Sequence, residues 1–273
     1  MHLSELTSGL LLDPEGYWIA AGSNAVSYPD TGNDFCLSVE DHSFWFAHRN
    51  HAILAAVRHY PPAGGPILDV GAGNGFVTAA LVRDGWPAVA IEPSRRGARN
   101  AVARGVSDVV CGALPSSSFR ESSAGGIGLF DVIEHVPDDR QYLASLRPYL
   151  AKGGRVYITT PAFRALWSDD DVAAGHYRRY TARTLRDTLA KAGLDVEYAG
   201  YFFWWLPAVT FFARTLRSKV RRKPFVASTA EHTAGSDRLR RLLERTFAFE
   251  TRLIARGRRL PFGASCLAVA RSG

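Results

Sequence analysis

An apolar run that ends in an acid and then meets glycine at three alternate positions, Ile67-Leu68-Asp69-Val70-Gly71-Ala72-Gly73-Asn74-Gly75, leaves this chain little choice of local fold. A short run of this kind closed by glycines reads as a buried strand, and the pattern after it reads as a helix. Glycine lets the backbone adopt positive φ and approach a ligand closely, because a Cβ would block both. The spacing then narrows the ligand. A dinucleotide fingerprint needs a small residue five positions after its first glycine, and Phe76 stands there. No Lys-Ser/Thr pair follows to grip a phosphate. What remains is a turn suited to a ligand without phosphate. Glu92, which ends the next apolar run at 88–91, is placed to accept both hydroxyls of a ribose.

From that turn onward strand and helix patterns alternate, with strands near 66–70, 88–92, 107–111, 126–132 and 154–159 and helices near 74–84, 94–104 and 138–150. Such alternation predicts a parallel sheet whose ligands sit outside the carboxyl ends of the strands. A helix near 181–192, a sixth strand near 194–202 and a seventh at 265–271 complete the pattern. Residues 1–40 read as an irregular, turn-rich arm, and 39–60 as a helix. The loop at 161–180, rich in Trp, His, Tyr and Arg, should lie over the cofactor face. Roughly sixty residues separate the last two strands, and an insertion of that size in a compact fold is functional or disordered. The expected division is an arm and lid at 1–60, a binding core at 61–202, an aromatic and basic helical insertion at 203–262, and the final core strand at 263–273.

The chain of 273 residues can bury a sizeable core, and its hydrophobic content of 47 % is that of a soluble globular protein. Three cysteines, Cys36, Cys111 and Cys266, lack metal-like spacing and imply a reducing compartment. The N-terminus shows no basic stretch leading into an apolar core, so a cytoplasmic location is expected. Net charge is +7, but residues 203–262 hold 14 basic against 4 acidic residues, a net of +10, while the rest holds 19 against 22, a net of −3. An anionic partner belongs at the insertion and not at the core.

The motifs taken together resemble those of the class I S-adenosylmethionine-dependent methyltransferases. Asp69-Val70-Gly71-Ala72-Gly73-Asn74-Gly75 is similar to their first motif and Glu92 to their ribose acid. Phe130-Asp131-Val132-Ile133-Glu134-His135-Val136 resembles their fourth-strand motif, and the stretch at 150–158 their entry into the fifth strand. Phe44-Trp45-Phe46-x-x-Arg49-Asn50, Leu166-Trp167-Ser168 with Asp171 and His176-x-Arg178-Arg179-Tyr180-Thr181, and Leu260-Pro261-Phe262-Gly263 resemble a bacterial group near the ubiquinone-biosynthesis type. The resemblance implies a Rossmann-like α/β fold with a seven-stranded sheet, S-adenosylmethionine as methyl donor and S-adenosylhomocysteine as product. One departure follows the third strand, where Gly112 stands in place of the Asp with which many relatives bind the adenine amino group. Backbone groups or Ser116, Ser117 and Ser118 would substitute for it.

The residues expected at the cofactor are Trp45, Phe46, Arg49, Asp69, Gly71, Ala72, Gly73, Glu92 and Phe130. Arg49 is suited to a bidentate contact with the methionyl carboxylate, and three consecutive aromatics cannot all face one core. Asp69 is suited to fixing the turn or the methionyl ammonium, or to capping nearby amides. Methyl transfer from a sulfonium is an in-line displacement, so positioning and removal of a proton are what the protein supplies. His176, Arg179, Tyr180 and His135 are the catalytic candidates, and Trp167, Arg178, Phe203 and Trp204 the acceptor-binding ones. Against this stands a plain alternative, that Arg178 or Arg179 pairs with Asp169, Asp170 or Asp171 and staples the loop. Asp131-x-x-Glu134-His135 resembles a metal-assisted site of some quinone O-methyltransferases, but no further ligand lies nearby in sequence, so no metal is expected.

The acceptor is expected to be a small molecule or short peptide methylated on O or N in a tailoring pathway. A lipid-linked or isoprenoid acceptor is the alternative, since the run at 201–213 is too short to span a bilayer yet suits its interface. A homodimer contact or an aromatic wall over the sheet are other uses for that run. Nucleic acid is disfavoured because an Asn/Asp-Pro-Pro-aromatic motif is missing after the fourth strand. A non-catalytic cofactor-binding scaffold is the alternative from a different class.

Overall fold

The computed structural model describes residues 3–20, 30–114, 119–205 and 237–273. Nine strands form one sheet: β1 (Leu11–Leu12), β2 (Trp18–Ile19), β3 (Ile67–Val70), β4 (Ala88–Glu92), β5 (Val109–Cys111), β6 (Ala124–Phe130), β7 (Leu150–Pro161), β8 (Leu194–Phe202) and β9 (Ser265–Ser272). Their order across the sheet is β1-β2-β5-β4-β3-β6-β7-β9-β8. The seven expected strands are all present, parallel except for β9, which runs antiparallel between β7 and β8. The helices are α1 (Leu3–Leu6), α2 (Asp30–Glu40), α3 (Phe44–His59), α4 (Phe76–Arg83), α5 (Arg95–Ala103), α6 (Asp139–Leu146), α7 (Asp169–Ala173), α8 (Ala182–Lys191) and α9 (Asp237–Ile254).

The central strands are buried on both faces, which is why they read as continuous apolar runs and not as alternating ones. Leu68, Val89, Ile91, Ile127, Leu129 and Ile158 belong to one apolar cluster. Ile67, Tyr157, Tyr198, Phe202 and Leu267 pack with α3 and α9 in another. Each helix entry carries its own signal. The Ser43 side chain accepts the Trp45 amide at the start of α3, and Ser94 accepts the amides of Arg96 and Gly97 at the start of α5.

Two expectations require correction. The N-terminal arm is not irregular: β1 and β2 form an antiparallel pair, β2 extends the sheet beyond β5, and α2 precedes the predicted helix. Residues 161–180 also contain a 3-10 turn (Arg164–Leu166) and α7. Ser116, Ser117 and Ser118, the basic stretch through Lys223 and most of the aromatic run lie outside the described residues. The expected arginine-rich helix is present as α9.

On α9, Leu243, Phe247, Glu250 and Ile254 form an inward stripe at spacings of four and three. Glu250 is fully buried within it. Its carboxylate pairs with Nε2 of buried His48 on α3 and accepts the amides of Phe203 at 3.0 Å and Trp204 at 2.6 Å, just past β8. One side chain therefore joins the insertion helix, the lid helix and the sheet edge. Removing it strands a buried imidazole and two buried amides. Glu250→Ala should lower unfolding stability by about 3–5 kcal/mol, read as a drop in urea midpoint; an unchanged midpoint would show that this junction is not a structural anchor.

Candidate functional site

At the end of β3 the turn opens with Gly71 at φ +74°, where a Cβ would lie 2.8 Å from Val132 Cγ2. It closes with Gly75 at φ +71°, where a Cβ would lie 2.7 Å from that of Ala101. Gly73 between them, at φ +55°, would place a Cβ in open space, so it forms the side of the turn that a ligand can approach. Glu92 braces this turn. Its Oε2 accepts the Gly73 amide at 2.7 Å and its Oε1 the Ser94 amide at 2.9 Å. Gly97 on α5 permits the close approach, since a Cβ there would meet Glu92 Cγ at 2.7 Å. The combination of a glycine cradle and an adjacent acid fits the adenosine of S-adenosylmethionine.

Asp69 is buried and accepts the Thr78 hydroxyl at 2.6 Å, which ties β3 to α4. Burial pushes its carboxyl up to about 6, against opposing contributions from Thr78 and Arg49. Asn74, also buried, donates to the Asn33 carbonyl at 2.9 Å and accepts from Asn100 at 2.9 Å, fastening α2 over the turn. Ala72 is half-buried against the cluster of Tyr17 and Ala101.

The three aromatics at the start of α3 face three partners. Phe44 stacks on Phe247 at 5.9 Å, Trp45 on Phe203 at 5.5 Å, and Phe46 meets the edge of Phe76 at 6.0 Å. Arg49 reaches the end of β6, with Nε 2.8 Å from Asp131 Oδ2 and Nη2 donating to the Phe130 carbonyl at 3.0 Å. It thus stands at the cofactor face already engaged by an acid. Phe130 offers that carbonyl while its ring is buried. Phe203 is likewise fully buried, whereas Trp204 is partly exposed beside Phe262. Trp167 is half-buried.

Past β6 the chain brings Glu134, His135 and His176 together, with one ligand atom from each within 4.8 Å of the others. This supplies the third donor that the sequence did not place near Glu134 and His135. Burial, and then the charge of Asp131, pushes the Glu134 carboxyl well above the ordinary carboxylate range; its Oε2 accepts the Thr160 hydroxyl at 3.0 Å. Burial and the neighbouring His176 push His135 down to about 4. A carboxyl with its pKa raised and an imidazole with its pKa lowered, both by burial, therefore lie beside His176. Its Nδ1 lies 2.8 Å from Asp171 Oδ1, and a hydrogen bond there directs the Nε2 lone pair outward. This set could hold a divalent cation, or accept a proton.

The two arginines and the tyrosine take other partners. Arg179 grips Asp171 through Nε at 2.7 Å and Nη2 at 2.9 Å, Arg178 lies 3.0 Å from Asp139, and the Tyr180 hydroxyl donates to Asp139 at 2.6 Å. Burial opposes ionisation of Asp171, but the hydrogen bonds from His176 and Arg179 outweigh it and hold the carboxyl well below its usual range. Burial, reinforced by Asp139, raises the Tyr180 phenol far above its usual value. Arg179 thus makes the Asp171 staple that stood as the alternative to an acceptor role, whereas Arg178 and Tyr180 bind Asp139 on α6, a partner the sequence did not suggest. Sequence reasoning missed Thr78, Gly97, His48 and Glu250, and treated Asp171 only as a staple. Gly97, five residues after Glu92, was the readable signal among them; His48 and Glu250 are 202 positions apart.

The raised Asp69 carboxyl carries a pH signature. A folded value near 6 against the ordinary 3.8 means that the native state keeps its proton longer, so stability is lost as pH rises through about 6. Asp69→Asn has no such loss. Without ligand, the stability of wild type relative to Asp69→Asn should fall by about 2–3 kcal/mol between pH 4 and 7, measured by urea unfolding at each pH; a constant difference would refute it.

Comparison with known proteins agrees with this geometry. A family model described as a methyltransferase domain matches residues 45–199, more than half of the 273-residue chain. A probable S-adenosylmethionine-dependent methyltransferase of Mycolicibacterium smegmatis is 25 % identical over 173 residues, which cover 62 % of this chain and 66 % of the relative. A ubiquinone biosynthesis O-methyltransferase of Caulobacter vibrioides is 27 % identical over 106 residues, 37 % of this chain and 42 % of that one. The chain thus spans just under two thirds of the first relative and under half of the second. In fold it is similar to phosphoethanolamine N-methyltransferase 2 of Haemonchus contortus, solved with S-adenosyl-L-methionine. That match has a TM-score of 0.55 at 17 % identity and covers 91 % of this chain and 58 % of the other. The strand order and the matched family model lead to one conclusion: the chain belongs to the methyltransferase-domain family, in its class I S-adenosylmethionine-dependent branch.

Proposed function

We propose that this chain methylates an oxygen or nitrogen of a small molecule or short peptide in a tailoring pathway, with His176 as the proton acceptor. The observation that carries the reading is the Asp171–His176 pair facing Glu134 and His135 at the end of β6, the strand next to the glycine turn of β3. Adjacent strands are about 4.8 Å apart, so the end of β6 and the glycine turn share one rim. S-adenosylmethionine, when bound, supplies a methyl carbon on a sulfonium. The acceptor atom forms its bond to that carbon as the carbon–sulfur bond breaks, leaving the thioether, and the acceptor proton passes to His176 Nε2. Asp171 fixes the imidazole tautomer, and Arg179 fixes Asp171. Glu134 and His135 lie against His176 in the same cluster, where burial disfavours the charged form of each.

A lipid-linked or isoprenoid acceptor is the second reading, favoured by the outer face of α9. Arg245, Phe249 and Arg252 follow at spacings of four and three and are all exposed, opposite the buried stripe, and exposed Arg256 follows in the turn after the helix. Trp204 and Phe262 add an exposed aromatic pair. Among the described residues no helix is long and apolar enough to cross a membrane, so such an acceptor would be met by peripheral contact. The Caulobacter relative's name, which refers to ubiquinone biosynthesis, points the same way. Neither reading needs nucleic acid.

The test is transfer of labelled methyl from S-adenosylmethionine to a panel of phenols, amines, short peptides and isoprenoid-tailed quinols. No product on any of them, with cofactor still bound, would favour a binding scaffold instead. Given a working acceptor, His176→Ala and Asp171→Asn should leave S-adenosylhomocysteine affinity within about twofold and depress turnover by about a hundredfold or more. Parallel loss of cofactor affinity and fold stability would make the pair a staple only.

The reading of His176 as proton acceptor needs no metal. Turnover should survive exhaustive chelation. Loss restored by magnesium would turn Glu134, His135 and His176 into a cation site. Gly73→Val, which fills the open side of the turn, should abolish calorimetric binding of S-adenosylhomocysteine while the apo protein still unfolds cooperatively.

A further inference from the structure

Three aromatic rings that the core leaves in water stand beside the carboxyl rim. β7 and β8 both run antiparallel to β9, so β8 ends and β9 begins at the rim where β7 ends, and from there the loop to His176 departs. Trp204 lies two residues past β8 and Phe262 three before β9, their rings 6.2 Å apart edge to face. Phe249 on α9 is the residue before Glu250, whose carboxylate accepts the Trp204 amide. Phe249 is 53 % exposed, Phe262 46 % and Trp204 37 %. The acceptor loop is fastened to the segments that carry these rings: the Ala162 amide donates to the Ala264 carbonyl at 2.8 Å, and the Phe163 ring stacks on Tyr201 at 5.0 Å.

Charge of one sign surrounds the rings. Residues 237–259 hold eight basic against three acidic side chains, and one of the three, Glu250, is buried and taken by His48 and two amides. Arg245 and Arg252 stand one turn to either side of Phe249, and Arg256 a turn further on, all exposed. The sequence between β8 and α9, outside the described residues, repeats the pairing: Phe211 and Phe212 are followed by six basic residues and no acid at 214–223. Exposed aromatics set among arginines are matched on both counts by an anionic bilayer, where rings settle at headgroup level and guanidinium groups meet lipid phosphate. A soluble polyanion would use the arginines and leave the rings in water.

We propose that this face docks on an anionic phospholipid bilayer, with Phe249, Trp204 and Phe262 entering the headgroup layer and the carboxyl rim held at the membrane surface. It is the face that favours a lipid-linked acceptor, but the docking goes beyond that reading, because it needs neither acceptor nor cofactor.

Co-sedimentation of the full chain with vesicles tests this, using phosphatidylcholine alone and phosphatidylcholine mixed in equal parts with phosphatidylglycerol. Anionic vesicles should bind more tightly than neutral ones by about tenfold or more, each basic residue near such a surface being worth about fivefold, and binding should weaken as salt is raised. Phe249→Ser removes an exposed ring and no charge, and should weaken binding by about tenfold. Arg252→Glu combined with Arg256→Glu should weaken it by about a hundredfold or more. Lys152→Glu makes the same reversal at the exposed start of β7, the other end of a strand longer than the screening distance, and should leave binding within about twofold. All the altered residues are exposed, so urea midpoints should match wild type, and if one variant is unstable the others still decide. Equal binding to the two kinds of vesicle would overturn the proposal. So would binding that Phe249→Ser leaves intact, since arginines acting alone would then serve a nucleic acid or an acidic protein. Docking and acceptor identity fail separately. Vesicle binding by a chain that methylates only water-soluble acceptors supports docking and sinks the lipid-linked reading, whereas methylation of an isoprenoid-tailed quinol in detergent without vesicle binding does the reverse.

Discussion

A carboxylate taken out of water must be given hydrogen bonds or lose its charge, and the carboxyl rim of this sheet answers that demand six times. Asp69 takes the Thr78 hydroxyl, Glu92 the amides of Gly73 and Ser94, and Asp131 the Arg49 guanidinium. Asp171 takes His176 and Arg179, Glu250 takes His48 and two amides, and Glu134 takes the Thr160 hydroxyl. For Asp69, Asp131 and Glu250 the partner comes from another element, so satisfying them draws α4, α3 and α9 onto the sheet, while Asp171 closes its own loop. The site is held together by its own desolvated acids.

The two halves of the rim differ in how their backbone is bent. On the cofactor side the sharp bends fall on Gly71, Gly73 and Gly75, which tolerate positive φ without a steric penalty. On the acceptor side they fall on Asp131, Phe163 and Phe203, all near φ +55° to +59° and each just past the end of a strand. Such residues cost about 1–3 kcal/mol each and persist only where surroundings over-determine them. Here Arg49 and the Thr159 carbonyl hold Asp131, the Tyr201 ring and the Tyr180 carbonyl hold Phe163, and Trp45 with Glu250 holds Phe203. Strained non-glycine residues thus cluster past β6, β7 and β8, on the side of the rim that carries Glu134, His135 and His176.

Arg49 links the halves. It sits on α3 one residue from His48, so the helix is pinned to α9 by one side chain and to β6 by the next. Its guanidinium also lies 5.7 Å from the Trp45 ring centroid. A lid helix fastened in this way by buried pairs is pre-organised, and less ordering remains to be done when a ligand arrives.

What the sequence determined alone was local. The runs at 88–92 and 194–202 were read to the residue; burial on both faces writes the first as an unbroken apolar run, and the second, an edge strand with exposed Asp195, is bounded by Gly193. The glycine turn, Glu92 and the Glu134-His135 motif were legible for the same reason, since each is defined by neighbours in sequence. Two-residue strands such as β1 and β2 carry no period, so the arm that closes the sheet beyond β5 read as irregular. Only the tertiary structure decided the pairings. Arg179 and Asp171 were known to be near each other, but whether the arginine faced a ligand or an acid depended on which group lost its water. His48 and Glu250 meet only because the sheet order brings distant segments together. A hydrogen bond between far-separated residues leaves no periodic trace in either segment, whereas its energy depends on burial that exists only once the chain has folded.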